Sequence, residues 1–303
     1  MKPAISIGFG DDDGVAAPEI FPAVAEEGNF TRAAGKLGIG QPPLSQQIRD
    51  LEREVGAALF HRVPHGAELT AAGAAFLGEA KASLAAAEKA KLAAQSANRG
   101  ETGRLSLGFT ASSAFNPVVS TTIRRFRARW PEVQLSLTEM NTLALMQKLE
   151  RGELDATFMR PSLDDPTGIR LRRLPDEPMV IALPASHPLT RYPRLPLAAL
   201  ADEPFILFPR LVGLSLYDDV VLACRKAGFE LTVAQEAPQI SSVVNLVAAD
   251  LGVSIVPASI SQIMLEGVAY RPIEGPPAVA RPALAILKTH RSPVTENLIS
   301  LLN

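Results

Sequence analysis

Gln41, Ser45, Gln46 and Arg49 put two amides, a hydroxyl and a guanidinium into one short run of the chain. They lie off the face defined by Leu44, Ile48, Leu51 and Val55, which recur at helical intervals as a stripe to be buried. Groups of this kind bond to base edges in a DNA major groove and hold phosphates. Thr31, Arg32, Pro42, Arg53 and Arg62 stand close enough in sequence to join them. Ser45 and Gln46 are expected to read bases, with Arg32 and Arg49 mainly on phosphates. A second constellation is polar and follows predicted strands: the loop Thr110-Ala111-Ser112-Ser113, the turn Asn141-Thr142 and the segment 209–215. Sheets of alternating β and α elements bind ligands there.

Enzyme chemistry finds no comparable support, and none is expected. The four histidines, His61, His65, His187 and His290, have no partner at metal-ligand spacing. Ser112 and Ser113 sit in no nucleophile elbow. No phosphate-cradling glycine loop or dinucleotide fingerprint occurs, so no cofactor is expected. Cys224, the one cysteine, shares a helical apolar pattern with Val220, Val221 and Ala227 and reads as core packing in a reducing compartment.

The first group needs two short helices with a tight break between them. Thr31 is expected as the N-cap of the first. Ala33, Ala34 and Leu37 make a narrow stripe that lets a second helix cross closely. Gly38 ends the first helix and Ile39 pins the corner. Pro42 and Pro43 start the second, where missing N–H groups cost nothing. An earlier helix carries Ile20, Phe21, Val24 and Ala25. Pro22 would cost roughly 3 kcal/mol in its interior, so it is predicted to start late, near Phe21 or Pro22, and to end at Glu27. Downstream, Pro64 and Gly66 turn a hairpin wing, with Leu59, Phe60 and Leu69 inward and Arg62 and His65 at its edge. Thr70 caps a helix over 71–97, roughly 40 Å long at about 1.5 Å per residue. Its thin seam, Phe76, Leu77, Ala80, Leu84, Ala87 and Lys91, suits packing against a second copy.

From Arg104 onward, strands and helices alternate. Strands are predicted at 105–109, 133–138, 156–159, 179–183, 205–207, 231–234, 253–257 and 283–288. Helices are predicted at 117–130, 142–151, 217–227, 241–250, 259–265 and 293–302. That order implies a parallel sheet with helices on both faces.

A chain of 303 residues can hold two or three cores, and 47% hydrophobic against 20% charged residues suits a folded, soluble protein. No apolar run approaches the ~20 residues that span a bilayer, so no membrane partner is expected. The N-terminal run lacks the charged-then-apolar order of a signal peptide, which favours a cytoplasmic protein. Residues 1–16, with three glycines and Asp11, Asp12 and Asp13, read as a disordered or poorly packed lead-in. From Gly28 to Gly66 five Lys/Arg face three acids, a balance of +2, while residues 1–27 hold one base and six acids, a balance of −5. A single module would bind DNA weakly; two or four copies could bind well.

Together these features resemble a LysR-type transcriptional regulator. The residues that carry the resemblance are AVAEEGNFTRAAGKLGIGQPPLSQQIRDLEREVGAALFHR, then ELTAAG, FRARWPEVQLSL, LERGELDATFMRP, ASHPL and LVAADLGVSIVPAS, in the family's order. The resemblance implies a winged helix-turn-helix (17–70), a linker and dimerisation helix (71–97), a hinge (98–103) and two Rossmann-like α/β subdomains of periplasmic-binding-protein type. Subdomain I would be 104–175 plus 269–303, and subdomain II 176–268. It further implies operator DNA as partner, contact with RNA polymerase, a homodimer through the linker helix and a homotetramer. The later segments resemble the benzoate, catechol and chlorocatechol degradation regulators, which implies a muconate-like dicarboxylate or aromatic acid as effector. The implied effector residues are Thr110, Ser112, Ser113, Thr142, Arg160, Phe208, Leu214 and Ser215. Arg160 with Glu177 matches a charged pair in that subgroup, read as a tie between subdomains rather than a ligand clamp. Asp250 stands where the family usually carries glycine. A cytoplasmic solute-binding or sensor protein with weakened DNA binding is the alternative, since the two-lobed fold is shared.

Overall fold

The computed structural model describes residues 17–64, 66–161, 168–290 and 292–302; the 1–16 lead-in and His65 lie outside them. The chain divides into two compact units, residues 1–95 and 96–303.

In the first unit, α1 (Ala17–Glu27), α2 (Phe30–Leu37) and α3 (Gln41–Val55) are followed by the antiparallel hairpin β1 (Phe60–Val63) and β2 (Gly66–Leu69), then α4 (Ala71–Asn98). The first helix begins earlier than the sequence predicts and keeps Pro22 in its interior, with Pro22 itself buried. Packing explains why. Ile20, Phe21 and Val24 are wholly buried, and each such side chain gains roughly 1.5–3 kcal/mol, more together than the ~3 kcal/mol a helical proline costs. Phe21 also meets the rings of Phe60 and Phe76, each at 5.1 Å between centroids.

The N-cap of α2 is Asn29, not Thr31: the Asn29 side chain accepts from Thr31 N and Arg32 N. Two residues upstream of Thr31, a short amide reaches both orphan first-turn donors, and Thr31 becomes a first-turn residue. Gly38 closes α2 with φ +70, a conformation glycine adopts without penalty. Leu44 and Ile48 of α3 are buried, but Val55 is 40% exposed, because the helix outlasts the core beneath it. Glu52 ties that end down: its Oε1 accepts from Leu59 N at 2.8 Å and Phe60 N at 3.1 Å. Where α4 begins, Thr70 Oγ1 donates to Ala58 O and accepts from Gly73 N, and Thr70 N donates to Leu59 O. A Cβ at Gly73 would stand 2.1 Å from Leu59 O, so only glycine fits there.

The second unit continues with β3 (Gly103–Phe109), α5 (Ala111–Ala114), α6 (Pro117–Arg129), β4 (Val133–Glu139), α7 (Thr142–Glu150), β5 (Ala156–Met159), β6 (Ile169–Arg173) and β7 (Glu177–Pro184). Then come β8 (Leu195–Pro196), β9 (Pro204–Leu207), α8 (Leu214–Lys226), β10 (Thr232–Glu236), α9 (Ile240–Ala248), β11 (Ser254–Pro257), β12 (Val268–Glu274), β13 (Val279–Ala280), β14 (Ala283–Leu287) and α10 (Pro293–Ser300). These elements build two lobes. The first has the sheet β4-β3-β5-β14-β6; the second has β11-β7-β12-β8 with β13 on β7, and the parallel pair β10-β9.

Neither lobe has the all-parallel sheet expected from the βα alternation. β3 runs parallel to β4 and β5, but β14 is antiparallel to β5 and β6, and β7 is antiparallel to β11 and β12. The chain leaves the first lobe through β6 and β7 and returns through β13 and β14, so the crossing strands run against their neighbours. β12 pairs with β7, which puts the return after Ala280 rather than at 269. The helix expected over 259–265 is a single 3-10 turn, Ala258–Gln262. Asp250 has φ 62, the left-handed conformation that explains glycine's suitability there.

Candidate functional site

On the first unit, Thr31, Arg32, Gln41, Pro42, Gln46, Arg49, Arg53 and Arg62 are all exposed. Ser45 is not: it is 4% exposed, and its hydroxyl accepts from Gln41 Nε2 at 2.9 Å. It therefore orients Gln41 instead of presenting itself to a base. Four other polar side chains of α3 form a chain of bonds. Arg49 donates to Gln46 Oε1 at 2.6 Å, Gln46 Nε2 to Asp50 at 3.0 Å, and Arg53 to Asp50 at 2.8 Å.

Pro42 and Pro43 strip two donors from the α3 N-terminus, leaving its side chains to make the contacts. Arg62 on the wing stacks over the Phe30 ring at 5.1 Å. Arg32 donates to Glu27 O and lies 3.7 Å from the Glu27 carboxylate. Glu26, bonded to Lys81 at 2.9 Å, is held below the ordinary carboxylate range by that bond and charge.

On the second unit, a cavity of about 320 Å³ opens between the lobes. Thr110, Ser112, Thr142 and Arg160 line it from the first lobe, and Phe208 from the second. Local sequence explains the placement. Thr110 caps α5, accepting from Ser113 N, and Asn141 caps α7 through Ala144 N at 2.8 Å, so both helices start at the cavity wall. Ser113 lies wholly buried beneath, its hydroxyl 2.7 Å from Thr110 Oγ1.

Leu214 and Ser215 do not line the cavity, although Gly213 and Leu216 do. Helix α8 starts at Leu214, three residues earlier than predicted, and its first turn faces Leu216 inward instead. Sequence reasoning missed Gln239 and Ile240, which bring the N-terminus of α9 to the wall. A proline before an apolar helix, Pro238, was the readable signal.

Arg160 and Glu177 meet at 3.0 Å with side chains only 4% and 8% exposed. Glu177 is fully engaged, also accepting from Asn116 Nδ2 at 3.0 Å and Ser259 N at 2.8 Å. It opens β7, so this pair spans the lobes. Arg160 further donates to Ser112 Oγ, while its Nε, buried, has no partner among the described residues. Burial pushes the Arg160 pKa down, and the Glu177 carboxylate opposes that. A cation so placed can receive an anion from the cavity, with the Thr110 and Ser112 hydroxyls beside it.

Residues 17–74 match the family described as bacterial regulatory helix-turn-helix protein, lysR family, and residues 98–303 match the LysR substrate binding domain. The chain is 40% identical over 281 residues to the HTH-type transcriptional regulator BudR of Raoultella terrigena, covering 93% of this chain and 97% of BudR. Among solved structures it is similar to full-length CbnR complexed with target DNA, at TM-score 0.79 and 28% identity over 94% of this chain and 97% of that one. The BenM effector binding domain with its effector benzoate superposes at TM-score 0.59 and 28% identity, over 66% of this chain and 90% of that one.

Proposed function

The chain belongs to the LysR family of DNA-binding transcriptional regulators, with a helix-turn-helix unit, a two-lobed effector-binding unit and no enzymatic role, and on that premise we propose that its effector is a small organic carboxylate held in the inter-lobe cavity. The observation that carries this reading is Arg160: a buried guanidinium that lines the cavity, with the Thr110 and Ser112 hydroxyls beside it.

A muconate-like dicarboxylate or an aromatic acid fits that chemistry. Benzoate in the BenM domain supports the choice, while the higher identity to BudR leaves the degradation subgroup as one candidate lineage. In this reading Thr142 and Phe208 shape the site, and Glu177 serves as the tie between lobes. Gln41, Gln46, Arg49, Arg53 and Arg62 contact operator DNA in the cytoplasm. Pairing of α4 gives a homodimer, two dimers give a tetramer, and effector binding resets the spacing of the recognition helices for RNA polymerase.

A thermal-unfolding screen of muconates, benzoates and related acids tests the effector. A ligand at 100 times its dissociation constant should add about 2.7 kcal/mol of stability. Thr142→Val and Ser112→Ala should each weaken that gain. A panel in which uncharged analogues stabilise as well as the acids would sink the carboxylate assignment.

A further inference from the structure

Arg160, buried, and Asp219, half-buried, have complementary chemistry, and among the described residues each leaves one buried polar atom without a partner. The outer nitrogens of Arg160 are held by Glu177 and Ser112, but Nε has no acceptor. Asp219 Oδ1 accepts from Arg281 Nη1 at 3.0 Å, but Oδ2, equally buried, has no donor. Native structures seldom leave such groups unpaired without a use.

The two groups belong to different lobes. Arg160 follows β5 of the first, and Asp219 lies on α8 of the second. Their present partners stand where the chain crosses between lobes: Glu177 opens β7, and Arg281 lies between β13 and β14. Glu177 and Ala280 are also register partners, so both crossings run side by side. Burial pushes the Asp219 carboxyl above its ordinary value; the Arg281 guanidinium opposes this, and more weakly so does Arg160, whose charge already reaches Asp219.

We propose that Asp219 is the closed-state partner of Arg160. When the lobes close on the cavity, Arg160 Nε donates to Asp219 Oδ2, and the guanidinium bridges Glu177 and Asp219. Its five N–H donors in a planar fork permit two carboxylate partners at once. Asp219 and Arg281 form the competing pair, which opening of the lobes favours. Such partner exchange at a hinge gives two discrete states instead of a continuum.

The inference concerns the motion of the lobes and holds whatever the effector proves to be. Pulsed electron-spin distance measurement on the full chain, with no small molecule added, tests it. Leu143 and Leu211 are exposed neighbours of the cavity-lining Thr142 and Val212. Leu143→Cys and Leu211→Cys, in a Cys224→Ser background, place one label on each lobe. Labelled chain is diluted with unlabelled chain so that one pair is read per assembly.

The parent should show a short and a long distance. Asp219→Asn should cut the short fraction at least threefold, and Arg281→Gln, which frees Asp219 from its competitor, should raise it at least twofold. A merely structural role would move both variants the same way. One distance common to all chains, or a shared direction of change, overturns the proposal. Asp219→Ser replaces the asparagine variant if circular dichroism shows that variant unfolded. A negative effector screen would leave these distances unaffected, so the two readings fail separately.

Discussion

Helix α3 and the inter-lobe cavity use the same ion-pair chemistry at opposite extremes of burial. Arg53 and Asp50 meet at 2.8 Å with side chains 73% and 48% exposed, whereas Arg160 and Glu177 meet at 3.0 Å with 4% and 8% exposed. Distance does not separate them; solvent does. Water screens the first pair to roughly 0–1 kcal/mol. Removing one partner of the second strands a charge in a poorly polarisable interior, at a cost of roughly 3–5 kcal/mol. Weak exposed pairs can be exchanged for phosphates at little cost, so α3 can bind without reorganising. The buried pair cannot be exchanged piecemeal, because losing either partner leaves the other's charge unpaired away from water.

The largest effect that tests this contrast is Glu177→Ala. It should destabilise the chain by about 3–5 kcal/mol in denaturant titration, because Arg160 is left unpaired. A loss under 1 kcal/mol would mean that water reaches Arg160 and would erase the distinction. Gln46→Ala should come next, costing about 1–3 kcal/mol of discrimination at one base position with little change in folding stability. Selection from random duplexes reads this directly, and equal weakening on every sequence would assign Gln46 to the backbone.

The smallest effect is acid sensitivity at Glu26. Its pKa is lowered from 4.5 in the folded chain, chiefly by Lys81. The pair's contribution is therefore present above pH 4.5 and is lost as pH falls through the lower folded value. Glu26→Gln should flatten that limb of the stability curve, and an unchanged limb would discount the pair.

Much of the architecture was legible because it is local. Gly38 at the break, Pro42 and Pro43 at a helix start, and Pro64 with Gly66 in the hairpin act within a few residues, and the sequence displays them. Misreadings arose where tertiary packing overrode a local rule. Pro22 is tolerated because its neighbours are buried, and Ser45 faces inward although its type suits a base. Strand β6, IRLRR, was overlooked because its charges mask the alternation of an edge strand. The cavity was half legible: Thr110, Ser112 and Thr142 follow strands, but Gln239 enters from the other lobe. Asp219 and Arg281 are 62 residues apart, and only the tertiary fold brings them together.

Thr70 and Gly73 give α4 a mechanical character. Three bonds fix Thr70 to Ala58, Leu59 and Gly73, and the close approach at Gly73 leaves no gap in which the helix could slip. The same Leu59 is gripped by Glu52 from α3. A torque applied along α4 therefore meets no slack before it reaches α3 and the wing. The joint transmits rotation as a keyed shaft does, and a single methyl group at position 73 would unseat the key.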